Sequence, residues 1–221
     1  MENVRSHHRE RTFSTPPELD YPSPMDDEEA RTRLLDAAEA LFYADGIQAV
    51  GMDRVRAESG VPLKRLYRLY PAKESLVAAY LERRDERWMT SLRRAVTEAA
   101  KASASLGPGP SAAPVLAVFD WLAAWFCEPD FRGCAFLNAY GELGARGPAP
   151  ILDVVRRHKA RLRSLLADLT GPAEEALADQ LLILVEGATV TAALDPGPAP
   201  AHRAREVAER LIRSLSPPSA P

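Results

Sequence analysis

Between Gly51 and Lys73 the chain sets six cations, Arg54, Arg56, Lys64, Arg65, Arg68 and Lys73, against two anions, Asp53 and Glu58. That segment carries +4 while the whole chain is −3, so the remainder holds −7. Positive charge gathered on one small element of an acidic protein is the footprint of a phosphate-binding surface. Arginine adds selectivity, because its guanidinium pairs bidentately with O6 and N7 of guanine at about 1–3 kcal/mol of discrimination. Lys64, Arg65 and Arg68 are therefore the candidates for reading bases.

Such residues need a rigid element to carry them. Met52, Val55 and Ala57 give a short first helix an apolar side. Ser59-Gly60-Val61 breaks it, with Gly60 supplying a residue that tolerates positive φ at a helix end. Pro62 stands where a new helix starts, a place that needs no N–H. Leu63, Leu66, Tyr67 and Tyr70 recur at three- and four-residue steps, so the second helix has an apolar face and its cations fall on the others. Pro71 ends it. Two helices around a glycine turn, the second basic outside and apolar inside, describe a helix-turn-helix.

At this point the residues resemble the TetR family of bacterial transcriptional regulators. Gly46, Val55, Ser59-Gly60-Val61, Leu66-Tyr67, Tyr70-Pro71, Lys73-Glu74 and Leu76 follow the family pattern in order and spacing, strongly over residues 30–80 and in outline elsewhere. The resemblance implies an all-α fold, with an N-terminal three-helix helix-turn-helix domain and a C-terminal helical domain for ligand binding and dimerisation. It implies a dimer on palindromic double-stranded operator DNA, a repressor released by an unknown small-molecule effector. Tyr67 and Lys73 match positions that usually touch phosphate, contacts that set register without carrying sequence information. Leu69 stands where the family often has His or Tyr, to touch a thymine methyl or to pack. The expected interface thus comprises Gly51, Arg54, Pro62, Leu63, Lys64, Arg65, Tyr67, Arg68, Leu69 and Lys73. Three departures are visible. Val50-Gly51 replaces a capping Thr or Ser, leaving the N–H groups at Gly51 for phosphate, Pro62 stands where the recognition helix usually has a capping Ser, and Lys64 replaces a common Gly.

The boundaries expected are a disordered tail over 1–25, a DNA-binding domain over 26–72, a ligand-binding and dimerisation domain over 73–215, and a tail over 216–221. Four prolines and no periodic apolar face mark the first tail; its Arg5, His7, His8, Arg9 and Arg11 form a solvated patch or an arm tracking a DNA groove. Asp26 can cap a first helix over about 28–44. From Lys73 a long helix runs to about Ala104, with Leu76, Val77, Tyr80, Leu81, Trp88, Leu92 and Val96 on one side. Glu82 to Arg87 is a charge run, read as a solvated face. Leu106 to Pro110 is a break. Helices follow over about 112–127, 134–143, 150–169, 173–193 and 199–215. His158 shares the apolar side of the third of these.

The resemblance makes the last pair the dimer interface, the alternative being an intrachain core. Trp88, Phe119, Trp125, Phe126, Phe136, Asn138, Tyr140 and Glu186 are candidates to line an effector pocket, though aromatics at helical spacing also serve plain packing. Glu186 can anchor a cation or pair with an arginine across the dimer. A pocket of several hundred Å³ would favour the ligand-responsive reading; a solid core would favour a ligand-independent DNA-binding protein of the same fold. Sequence leaves repression and activation both open.

An enzyme is not expected: nucleophile elbow, P-loop, dinucleotide fingerprint and zinc-protease motifs are all missing, and three of four histidines stand at 7, 8 and 202. No cofactor or metal is expected. Two cysteines, Cys127 and Cys134, make no disulfide framework and suit a reducing cytoplasm; a redox switch between them is the less favoured alternative to small apolar packing. No apolar run reaches about 18 residues, so no membrane span is expected.

Overall fold

The computed structural model describes residues 25–105, 111–171 and 174–215. The expected basic arm, the break at Leu106–Pro110 and the C-terminal tail lie outside them. Nine helices and no strand occur among the described residues.

The head is built from α1 (Asp27–Asp45), α2 (Met52–Ser59) and α3 (Leu63–Leu69). Asp26 caps α1 as expected, its Oδ1 accepting the Glu29 N–H at 2.8 Å, with Asp27, Glu28 and Glu29 in the first turn against the positive helix end. Gly60 closes α2 at φ 67°, the left-handed conformation that the Ser-Gly-Val turn requires. Leu34, Ala38, Val50, Val55 and Leu66 are fully buried where the three helices meet. Met25, placed in the tail by sequence, packs against this core.

The long α4 (Lys73–Ala104) runs from the head into a body of α5 (Ala113–Trp125), α6 (Ala135–Leu143), α7 (Ala149–Thr170), α8 (Glu175–Leu194) and α9 (Ala199–Leu215). Each spans close to its periodic stretch, because the stripe facing the core decides where helix pays back its ordering cost. One apolar cluster joins the head to the first half of α4, to α6 and to Ile151, Val154 and Val155 of α7. A second fills the body, from Met89 and Leu92 of α4 to Leu162 and Leu166 of α7, with α5, α8 and α9 around them.

The charge run on α4 is not simply a solvated face. Asp85 is buried, and Arg83 and Arg84 are half-buried. Glu39 of α1 accepts from Arg83 at 3.0 Å, from Arg84 at 2.9 Å and from Arg87. These pairs tie the connector to the head. The helix α8 is long and apolar enough to cross a membrane by length and composition, although its apolar residues do not form an uninterrupted run of that length. Seven of its residues are buried in the body.

Candidate nucleic-acid interface and body cavity

The helix α3 has only two turns, so few of its residues can face inward. Leu66 is fully buried, Tyr70 follows it into the core, and Leu69 is half-buried. Leu63 and Tyr67, expected on the inward face, are instead 46% and 45% exposed. Ala57 of α2 is likewise exposed. The physical reason is angle: Leu66, Leu69 and Tyr70 claim the sector that faces the core, and at about 100° per residue Leu63 and Tyr67 fall roughly 60° and 100° to one side of Leu66, on the flank of a short helix that no described residue covers. The outer surface therefore presents Leu63, Lys64, Tyr67 and Arg68 together, beside an open concavity of ≈ 590 Å³ lined by Met25, Gly60, Pro62, Lys64, Arg65 and Arg68.

Two of the base-reading candidates already have partners. Asp27, at the start of α1, accepts from Arg68 at 2.5 Å and lies 3.8 Å from Arg65. Arg65 also donates to the carbonyl of Met25. Arg54 pairs with Asp45 at 2.6 Å. Gly51 caps α2 from an exposed position without a side-chain bond. Lys73, half-buried, holds its ammonium 5.9 Å from the Phe42 ring centroid, a cation–π distance.

The body holds a small cavity at the junction of the two apolar clusters. Its wall includes Trp88, Trp125, Phe136 and Glu186 from the expected set, and adds Arg84, Cys134, His158 and Lys159. Phe119 and Phe126 are fully buried elsewhere in the body core, on faces of α5 and the turn after it that meet other helices. Asn138 and Tyr140 are exposed on α6; the Asn138 amide donates to the Arg132 carbonyl at 2.9 Å. These four are not among the residues lining the cavity. The free volume is ≈ 10 Å³, about one water-sized sphere, far below the several hundred Å³ a ligand-responsive body was expected to show. Trp88 fills the space, edge-on to Trp121, Trp125 and His158 at centroid distances of 4.9, 5.7 and 5.1 Å.

The polar residues here form one network. His158 is 2% exposed, stacks on Phe136 at 3.7 Å, and brings Nδ1 to 2.7 Å from Asp85 Oδ1. Arg161 donates to the other carboxylate oxygen at 2.6 Å. Burial pushes the Asp85 carboxyl up, but His158 and Arg161 outweigh it and hold it below its ordinary value. Glu186 anchors a cation within the chain: Lys159 donates to it at 2.7 Å. The sequence signal for this network was register. Asp85 lies four residues beyond Leu81 and His158 three beyond Val155, each on a buried stripe.

A further set of bonds joins body to head. Glu142 near the end of α6 accepts the N–H of Ile47 at 3.0 Å and of Gln48 at 2.8 Å, in the loop leading to α2. The Tyr43 hydroxyl donates to the Gly133 carbonyl at 2.8 Å and accepts the Arg132 N–H at 2.9 Å.

Residues 34–80 match the family model of bacterial regulatory proteins of the TetR family. A TetR-family transcriptional regulator of Streptomyces coelicolor is 33% identical, with 86% of this chain and 97% of that one covered and a TM-score of 0.71. This chain belongs to the TetR family. A TetR regulator of Chloroflexus aurantiacus superposes with a TM-score of 0.69 at 21% identity, over 85% of this chain and 96% of that one. One of Streptomyces avermitilis gives 0.59 at 28%, over 81% and 98%. No curated protein matches the sequence. As in the TetR family at large, the fold is that of a DNA-binding transcriptional regulator, with α2 and α3 as its helix-turn-helix.

Proposed function

We propose that this chain is a repressor that binds a palindromic operator as a homodimer and lets go when a small molecule opens the body cavity. The observation that carries the reading is the outer face of α3, where Lys64, Tyr67 and Arg68 stand exposed on a helix pinned by Leu66. In this reading Lys64, Arg65 and Arg68 read bases in the major groove, and Gly51, Arg54, Pro62, Leu63, Tyr67, Leu69 and Lys73 set register around them. Arg65 and Arg68 exchange Asp27 for DNA on docking. One such helix reads too few bases for an operator, so a second copy is needed.

Support for the dimer comes from α8. Ile183, Val190 and Leu194 are 70%, 50% and 84% exposed, with Val207 of α9 at 38%. They recur at helical spacing with Gly187, where an added Cβ would meet open space. An apolar stripe of this kind marks an interaction surface, and its self-complementary partner is the same stripe on a second copy.

The ligand-independent alternative draws support from the nearly filled cavity. Against it stands the gathering of Arg84, His158, Lys159 and Glu186 on an aromatic wall, costly to keep for packing alone. Opening the cavity requires Trp88 to move.

The test is fluorescence anisotropy on an inverted repeat from the promoter beside the gene, against a random duplex, over a salt series. The expected result is preference for the repeat. Arg68→Ala should cost about 1–3 kcal/mol and relax specificity at one position. Ile183→Asp should leave a monomer by light scattering that has lost the operator. Equal grip on both duplexes by the wild-type chain overturns the reading.

A further inference from the structure

We propose that the acidic stretch ahead of α1, Glu18 to Asp27, is an autoinhibitory strap that lies over the recognition helix α3 and holds Lys64, Arg65 and Arg68 from DNA phosphate until an operator displaces it. This rests on the reading of α3 as the DNA-facing helix. It gives the N-terminal segment the opposite role to a basic arm that tracks a groove.

The last residues of the strap already touch α3. Asp27 Oδ1 accepts from Arg68 Nη2 at 2.5 Å and lies 3.8 Å from Arg65 Nε, and the Met25 carbonyl accepts from Arg65. The neighbouring acids Asp26 and Glu29 serve α1 itself, one capping it and the other pairing with Arg33 at 2.6 Å. Asp27 instead crosses to α3. Met25 forms part of the open concavity of ≈ 590 Å³ together with Pro62, Lys64, Arg65 and Arg68, so the upstream chain joins at the wall of that concavity. Among the described residues, Lys64 on the same wall has no carboxylate partner, while both arginines have Asp27.

Charge order along the chain is the second argument. Residues 12–29 hold six anions, Glu18, Asp20, Asp26, Asp27, Glu28 and Glu29, and no cation. The arginines of the tail, Arg5, Arg9 and Arg11, all precede them. The stretch that joins at the concavity is therefore opposite in sign to the +4 segment from Gly51 to Lys73. Asp20 and Glu18 precede Met25 by five and seven residues, a reach of up to about 17 and 24 Å at about 3.5 Å per residue. The seven residues of α3 span about 10 Å, so Lys64 is within reach of both carboxylates. One exposed ion pair is weak. A tether that supplies an effective concentration in the millimolar range lets several act together.

A cation held by the strap is not free for phosphate. The chain then binds DNA only in the fraction of molecules whose strap is open, and the apparent dissociation constant rises by the inverse of that fraction for every duplex. Random DNA gains only phosphate contacts when the strap leaves, whereas an operator adds base contacts to them. The strap thus keeps the chain off bulk DNA and leaves the operator able to displace it.

The test uses the full chain with Glu18→Gln and Asp20→Asn together, which removes charge without shortening the segment. Random-duplex anisotropy over a salt series should show about 3–10-fold tighter binding at low salt, with a log–log slope steeper by about 1, the mark of one more phosphate contact. Glu98→Gln with Glu175→Gln makes the same change in net charge at exposed positions of the body and should move neither. A readout without DNA runs beside it: acetylation of Lys64 relative to Lys101, both exposed, followed by peptide mass spectrometry. A carboxylate beside an amine favours its unreactive charged form. The Lys64-to-Lys101 ratio should therefore rise at least about twofold in the double variant, and about 1 M salt should bring the wild-type chain to the same ratio. An unchanged ratio overturns the proposal. Tighter DNA binding with an unchanged ratio means that the two acids repel DNA from a distance, which also overturns it, as does a raised ratio with unchanged affinity for a duplex that is bound. A wild-type ratio that changes on dilution assigns the cover to a second copy and overturns the intrachain contact. If no duplex is bound by either chain, the reading of α3 fails, and the acetylation ratio still decides the strap.

Discussion

Glu142→Ala is the perturbation that most directly weighs how the head is held. The wild-type carboxylate accepts the Ile47 N–H on Oε1 at 3.0 Å and the Gln48 N–H on Oε2 at 2.8 Å. Hydrogen bonds to a charged group are worth about 1.5–3 kcal/mol each when shielded. Ile47 is buried and Gln48 is exposed, so the pair sums to about 2 kcal/mol once water is allowed to replace the outer bond. The Gln48 side-chain amide also donates to the Glu142 carbonyl, which alanine retains. A loss of about 2 kcal/mol raises the opening equilibrium of the loop about 30-fold, and amide exchange at Ile47 and Gln48 should quicken by that factor. If the two bonds are also intact in the global transition, the melting point falls by about 4–8 °C for a chain of this size. Glu142→Gln should recover less than half, because an amide offers one acceptor and turns its NH₂ toward a backbone donor. Unchanged exchange at both amides, with a stability loss under about 0.5 kcal/mol, would refute the claim that α6 clamps this loop.

Other perturbations are sharper but narrower. Leu66→Ala empties a fully buried site under α3; a loss of about 2–5 kcal/mol by urea titration is expected, and operator binding should fall with it. Asp85 titrates below its unfolded value, so its stabilisation is complete above about pH 4 and is lost as pH falls through the lower folded value. Asp85→Asn should accordingly flatten the acid limb of a stability–pH curve, and an unchanged limb would count against the buried pair. Asp27→Ala removes an exposed partner of Arg65 and Arg68; stability should move by less than about 1 kcal/mol, while binding to random duplex tightens several-fold in low salt. If random-duplex affinity stays put, Asp27 does not compete with phosphate.

Much of this was legible because helices declare themselves by period. The stripe Ile151, Val154, Val155, His158, Leu162, Leu165 and Leu166 is buried throughout α7, and Gly60 turns where a left-handed residue was required. Two things were not. In α3 the periodic set Leu63, Leu66, Tyr67 and Tyr70 holds more apolar residues than two turns can bury, so pattern alone could not say which face the head would claim. In α4, charge outweighed register: Glu82 to Arg87 reads as solvent-facing by composition, yet Asp85 occupies a buried position between Leu81 and Met89. Aromatics misled for a related reason. Phe119 and Phe126 satisfy the composition of a pocket wall, but which helix faces them is a tertiary fact.

The place where the sequence rule fails is also where the two apolar clusters part. Along α4 the head's cluster ends at Leu81 and the body's begins at Met89. Along α7 the same change falls between Val155 and Leu162. Asp85 and His158 stand in those gaps and meet across them, with Cys134 and Lys159 beside them on the cavity wall. A well-packed apolar pair of equal volume would be as stable or more so, since the desolvation of a buried charge is only partly repaid by its partner. A polar seam between two close-packed units is therefore a poor choice for rigidity. It suits a molecule whose head and body must shift as units, because packed cores move discretely and yield at their boundary. It also puts the only buried acid–base pair among the described residues at the level of the bundle where α6, the helix that grips the head, begins, since His158 and the capping residue Cys134 share the cavity wall.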